Sequence, residues 1–268
     1  MESKKLTHRH VVIADVHGDF AKLMRLIRNL YKKGFRLKGT HNVLVQLGDR
    51  VDRGPDSYRV NNFFLKLEKM YPSQIILLNG NHEGMMKEAA NHPEHDTIFY
   101  YNGGDKTLAS YAKQTKVYGK NQLYQSIMKA GHWDLINDGK LYYMTDKYFF
   151  SHAPIPNMYF RKGIALLAPD AFLNCRDTLT WSYVSPNTET WVDKDPMEGR
   201  ISVSGHIHGL YLGDDGDYHS PGVRKYGNAI LLDTGCGCHY NGRLTALILP
   251  DMITIDDTGV ESNGLKYK

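Results

Sequence analysis

Cysteine is scarce in this chain, with three residues, Cys175, Cys236 and Cys238, among 268. So few sulfurs build no disulfide framework at this length, and a reducing compartment is expected. Long apolar runs are missing as well. No stretch approaches the roughly 20 consecutive apolar residues of a membrane span. The opening Met1-Glu2-Ser3-Lys4-Lys5-Leu6-Thr7-His8-Arg9-His10 lacks the apolar segment of a secretory signal. These absences predict a cytoplasmic protein that does not enter the membrane. An excess of one charge is also lacking. Lys and Arg number 33 against 29 Asp and Glu, a net charge of +4, which mildly favours anionic partners and gives no reason to expect sequence-specific nucleic-acid binding. Internal repeats and low-complexity linkers are absent too, so one folded unit is expected.

Five short segments each pass from an apolar stretch into a cluster of Asp, Asn and His. They are Val11 to Gly18, Leu44 to Gly54, Ile76 to Glu83, Tyr148 to His152 and Ser202 to Gly209. A buried strand that stops at a polar residue delivers it to the carboxyl edge of a sheet, where α/β proteins gather ligands. The first eighty residues read as a βαβαβ unit, with strands at 11–14, 43–47 and 75–78. Helices around 19–33 and 56–70 carry apolar residues at helical spacing, Leu23, Ile27 and Leu30 in one and Val60, Phe64 and Leu67 in the other. Residues 84–140 read as a largely helical layer without a metal motif. Strands are expected at 141–144, 147–151, 201–204, 228–233 and 244–249, with loop-rich segments at 153–200 and 209–226. After Pro250 the pattern weakens to a short strand and a frayed tail.

Carboxylate, amide and imidazole donors without thiolate suit Mn²⁺, Fe or Zn²⁺ better than a sulfur-bound structural zinc. Two such ions roughly 3.5–4 Å apart, bridged by one carboxylate, can activate water and hold phosphoryl oxygens. Asp49 follows a strand midway through the ligand groups and is the best candidate for the bridge. Arg53 beside it is a planar cation suited to clamping phosphate bidentately.

The Asp-x-His-Gly at 15–18, Gly-Asp-x-x-Asp-Arg-Gly at 48–54, Gly-Asn-His-Glu at 80–83 and the later His152 and His206 resemble the calcineurin-like metallophosphoesterases. More narrowly they resemble the phosphoprotein phosphatase branch, which includes bacterial and phage Ser/Thr phosphatases and symmetrical diadenosine tetraphosphate hydrolases. Arg53-Gly54-Pro55-Asp56-Ser57, Asn102-Gly103-Gly104-Asp105-Lys106-Thr107-Leu108 and Leu232-Asp233-Thr234-Gly235-Cys236 strengthen the likeness. It implies a four-layer α/β/β/α sandwich over residues 8–250, with 251–268 as an extension. Asp15, His17 and Asp49 would hold one metal, and Asp49, Asn81, His152 and His206 the other. Arg53 and Asn81 would contact phosphate. His82 would be the general acid, oriented by Asp52, and a hydroxide bridging the metals would be the nucleophile. The cofactors implied are two divalent ions, Mn²⁺ first, with Fe or Zn²⁺ as alternatives. The substrate implied is a phosphorylated protein or, as the alternative, a nucleotide such as diadenosine tetraphosphate or an RNA cap. The intact ligand set argues against an inactive binding scaffold.

Two departures qualify the likeness. The branch usually carries a Trp-x-Arg whose arginine makes a second phosphate contact, whereas this chain has Thr180-Trp181-Ser182-Tyr183, with Arg161 and Arg176 nearby. Gly205-His206-Ile207-His208 follows the wider superfamily's Gly-His-x-His, in which the second histidine binds the first metal, so His208 joins the expected ligands. Cys236-x-Cys238 reads as a turn, and Arg243 as either a phosphate contact or a turn residue.

Overall fold

The computed structural model describes residues 9–93, 96–119, 121–155, 176–182, 197, 199–208, 222–263 and 265. Eleven strands among them form two sheets. The six-stranded sheet contains β1 (His10–Ile13), β2 (Val43–Gln46), β3 (Ile75–Leu77), β9 (Thr245–Leu249), β10 (Ile253–Asp256) and β11 (Glu261–Asn263), in the order β11-β10-β9-β1-β2-β3. The five-stranded sheet contains β4 (Tyr142–Met144), β5 (Tyr148–Ser151), β6 (Ile201–Ser204), β7 (Arg224–Tyr226) and β8 (Ala229–Leu231), in the order β4-β5-β6-β8-β7. The parallel triplet β1-β2-β3 runs to one edge of the first sheet, and β5-β6-β8 lies inside the second.

Alternation along each strand explains why the sheets stack. Val12, Val45, Ile76 and Leu247 of the first sheet share a buried cluster with Tyr148, Phe150, Val203 and Ile230 of the second. Their neighbours Val11, Ile13, Leu44, Ile75, Leu77 and Ile248 face the other way. There they meet α1 (Phe20–Lys32), through Leu23, Leu26 and Leu30, and α2 (Ser57–Met70), through Val60 and Phe64. Asp19 starts α1 by accepting the N–H of Lys22 at 2.9 Å. On the outer face of the second sheet, Phe149 packs with Leu179 of a short helix, Arg176–Trp181.

Between β3 and β4 run α3 (Asn81–Asn91), α4 (Thr97–Tyr101), α5 (Gly104–Thr115), α6 (Gln122–Ala130) and α7 (Trp133–Asn137). They share a core of their own around Met86, Phe99, Tyr111 and Ile127. The helical layer expected at 84–140 is therefore present. Three regions differ from expectation. The helix Arg176–Trp181 lies in the loop-rich 153–200 segment. Strand β7 lies in the loop-rich 209–226 segment and pairs with β8. The chain after Pro250 forms two strands, not one strand and a frayed tail, with β10 antiparallel to β9 and β11 antiparallel to β10. Asp257 anchors the turn between them through Arg25 at 2.7 Å and the N–H of Leu244 at 3.0 Å, contacts that no local sequence pattern announces. No helix among the described residues is long and apolar enough to cross a membrane.

Candidate metal centre

The carboxyl ends of six strands converge, three from each sheet. Asp15 and His17 follow β1, Asp49 follows β2, Asn81 and His82 follow β3, His152 follows β5, His206 follows β6 and Asp233 follows β8. Five polar residues of these loops, His17, Asp49, Asp52, Arg53 and His206, adopt positive φ between 44° and 67°. Non-glycine residues enter that region at a cost, and such strain gathers where surrounding contacts fix a functional geometry. Close approach also demands glycine in these loops, most tightly against the two carboxylates. A Cβ at Gly80 would stand 2.1 Å from Asp49 Oδ1, and one at Gly205 would stand 2.1 Å from Asp15 Oδ1.

Asp49 is the hub. Its Oδ2 lies 3.7 Å from His17 Nε2, 3.8 Å from His82 Nε2 and 3.4 Å from His152 Nε2. Two groups of potential ligand atoms share it, one with His17 and His82 and one with His152 and His206. Its Oδ1 accepts the N–H of His82 at 3.0 Å, so the carboxylate also sits at the positive end of α3. Asn81 Oδ1 is 3.0 Å from His152 Nε2. Asp15 Oδ2 accepts the N–H of His206 at 3.0 Å, while its buried Oδ1 has no hydrogen-bond partner. His17 and His152 direct Nδ1 to the carbonyls of Val51 and Leu47, both at 3.1 Å, which turns each Nε2 lone pair into the cleft. The structure thus brings Asp15, His17, Asp49, Asn81, His152 and His206 to one edge of the sheets. His208 is buried and belongs to neither group, and its ring centroid lies 4.6 Å from that of His239.

The charge pattern calls for a cation. Burial and Asp233 push the Asp15 carboxyl well above its usual range. Burial, then Arg53 and His82, hold His17 well below an ordinary imidazole, and burial with His152 takes His206 down to about 3. Burial opposes ionisation of Asp49, yet His152, His82 and His17 bring its carboxyl well below the usual range. Against its burial, Asp49 and Asp15 raise His152 to about 9, so without an ion a buried imidazolium supplies the positive charge between the carboxylates that a divalent ion would supply in its place. The orphaned Asp15 oxygen fits the same reading, and so does the shared Asp49.

His82 Nδ1 lies 2.7 Å from Asp52 Oδ2, both side chains fully buried. Arg53 Nη1 donates to His17 Nε2 at 2.7 Å and to Cys238 Sγ at 2.6 Å.

Residues 8–210 match the family described as calcineurin-like phosphoesterase. The chain belongs to that family. Among its relatives, serine/threonine-protein phosphatase 1 of Salmonella typhimurium is 34% identical over 112 residues, 40% of this chain. The match spans 46% of that relative's length. Shewanella-like protein phosphatase 1 of Plasmodium berghei is 23% identical over 266 residues, 94% of this chain and 73% of that one. A solved chain thought to be a diadenosine tetraphosphatase superposes with a TM-score of 0.52 at 20% identity, covering 97% of this chain and 96% of its own.

Other residues at the centre of this phosphoesterase carried no assigned role in the sequence. Glu83 is fully buried and accepts the N–H groups of Asp49 at 2.9 Å, Arg50 at 2.7 Å and Gly80 at 2.8 Å, tying two ligand loops together. Asp233 is raised to about 6 by burial. The Gly-Asn-His-Glu and Leu-Asp-Thr-Gly motifs contain both residues, so the signal was present although their partners were not. The turn at Cys236-x-Cys238 forms as expected, but Cys238 also abuts Arg53. Arg243 is exposed, and its N–H closes a turn on the carbonyl of Thr234 at 3.0 Å. Arg161 and the side chain of Arg176 lie outside the described residues.

Proposed function

We propose that this chain hydrolyses phosphoric monoesters as a Ser/Thr-type phosphoprotein phosphatase dependent on two divalent ions, Mn²⁺ first among them. The observation that supports this reading is the single buried carboxylate of Asp49, which stands 3.7 Å from His17 Nε2 and 3.4 Å from His152 Nε2 and is shared with His206. Asp15, His17 and Asp49, with His208, would hold one ion. Asp49, Asn81, His152 and His206 would hold the other. When bound, such ions lower the pKa of water and offset charge on phosphoryl oxygens.

The remaining chemistry belongs to the chain's own side chains. The Arg53 guanidinium offers planar donors to the phosphate, and the Asn81 amide stands beside the same cleft. His82 donates Nδ1–H to Asp52, so its other nitrogen can deliver a proton to the departing oxygen. The buried Asp52 carboxylate stabilises the imidazolium that this role requires. The names of the Salmonella and Plasmodium relatives support a phosphoprotein substrate. A second reading, hydrolysis of a dinucleoside polyphosphate or RNA cap, is favoured by Ser182-Tyr183 standing where the branch carries its second phosphate-binding arginine.

The test is a side-by-side rate comparison on phosphoserine and phosphothreonine peptides, diadenosine tetraphosphate and capped RNA, with Mn²⁺ supplied. Faster turnover of the peptides is expected. A higher kcat/KM on either nucleotide substrate would replace the first reading with the second.

A further inference from the structure

Helices α4 and α5 carry no metal motif, yet they reach the cleft at one place. Thr107 on α5 is fully buried, and its hydroxyl donates to Asp52 Oδ1 at 2.7 Å. The Thr107 hydroxyl oxygen in turn accepts the backbone N–H of Asp52 at 2.8 Å. A hydroxyl has one proton, so the buried Ser57 hydroxyl, 2.9 Å away, must donate to Thr107 and not receive from it. The next residue in the chain is held from the same place. Arg53 donates its N–H to the Gly103 carbonyl at 3.1 Å, and a Cβ on Gly103 would stand 2.8 Å from that nitrogen. Asp52 and Arg53 are also consecutive left-handed residues, with φ of 67° and 63°. The first turn of α5 therefore fixes a strained pair that the ligand loop alone would not hold.

The consequence lies in the carboxylate. Asp52 Oδ2 meets His82 Nδ1, and the terminal torsion of an aspartate is intrinsically broad. With only one oxygen engaged, the carboxylate could rotate and take the imidazole with it. Thr107 engages the second oxygen and leaves one orientation.

We propose that Thr107 is a positioning residue for the Asp52–His82 pair, which sets the imidazole against the phosphate held at Arg53. This inference rests on the reading of His82 as general acid.

Thr107→Val keeps the side chain's shape and deletes its hydroxyl, whereas Thr107→Ser keeps the hydroxyl. Both are compared with His82→Asn and with the double variant His82→Asn/Thr107→Val. Aryl phosphates with poor and good leaving groups are the substrates, and bound metal and the thermal midpoint are measured alongside. Thr107→Val should lower kcat on the poor leaving group by about 10–100-fold, the range for outer partners of functional groups. The loss on the good leaving group should be smaller, with KM and metal content unchanged. Thr107→Ser should restore the rate, and Thr107→Val should cost nothing further in the His82→Asn background. Should Thr107→Val not fold, Thr107→Ala is read in the same way. Equal losses on both leaving groups, failure of serine to rescue, or a full additional loss in the His82→Asn background would overturn the proposal. If His82→Asn shows the leaving-group dependence and Thr107→Val does not, this inference alone falls. If His82→Asn does not show it, the acid assignment falls as well.

Discussion

Each residue at the edge of the sheets is defined by which of its atoms is already engaged. His82 gives one nitrogen to Asp52 and keeps the other for the cleft. His82→Asn should therefore leave bound metal in place and slow turnover by about 10²–10⁴-fold, the usual worth of general acid–base catalysis. The deficit should shrink for substrates whose leaving group departs without a proton. Rates across a series of aryl phosphates check this, and a uniform deficit would remove His82 from that role. His208 poses a different question, because its Gly-His-x-His spacing is that of a ligand while its ring packs against His239. If its imidazole completes one ion's shell, His208→Ala should weaken one of two metal-binding events by about 10–100-fold, as losses around metal sites do. Excess metal should rescue that variant, and excess substrate should not. Calorimetric titration with Mn²⁺ decides, and two unaltered binding events would make His208 a loop residue.

At the scale of elements, the centre depends on loops that are tied together before any ligand arrives. Glu83 stands in the first turn of α3 and receives three backbone N–H groups from two different loops. Glu83→Ala would leave those donors buried without a partner, a loss on the order of 3 kcal/mol by analogy with broken buried charge pairs. Denaturant midpoints of metal-free wild type and variant measure it, and an unchanged midpoint would mean that the loops hold their shape without Glu83. The positions that meet at the cleft were legible in the sequence because each follows a short apolar strand, and α1 and α2 were legible from their apolar spacing. The pairing of β7 with β8 and the return of the chain after Pro250 were not. Arg224-Lys225-Tyr226 is polar and half-buried, and Glu261-Ser262-Asn263 of β11 is just as polar, although β10 and β11 pair in turn with the strands just before them. Thr107 escaped for a related reason. Its motif was visible, but its link to Asp52 spans 55 positions, and only the fold reveals such a contact.

In the whole molecule, two sheets bury their facing sides and leave one functional edge, while the helical layer behind α3 holds a polar network in its interior. Tyr111 joins Asn61 at 2.9 Å to His132 Nδ1 at 2.9 Å, and Asn61 in turn receives Arg50 Nε at 3.2 Å. Burial, then the charges of Lys69 and Arg50, lowers His132 from 6.5 to about 4. The native state therefore keeps this ring neutral where the unfolded chain binds a proton. Its contribution is intact above pH 6.5 and is lost as pH falls from there towards 4. The full effect is about 3 kcal/mol at 1.36 kcal/mol per pH unit. His132→Asn should give a shallower fall in thermal midpoint across that window than wild type. Parallel curves would mean that another group dominates the acid sensitivity.

The central claim concerns two ions and one shared carboxylate, and metal stoichiometry measured together with turnover tests it most directly. Wild type should bind two Mn²⁺ per chain. Its hydrolysis of an aryl phosphate should vanish on chelation and return when Mn²⁺ is added. Asp49→Asn, which removes the charge on which both ligand groups converge, should lose most of its bound metal and its activity together. Full activity of that variant with two ions still bound per chain would contradict Asp49 as the bridge.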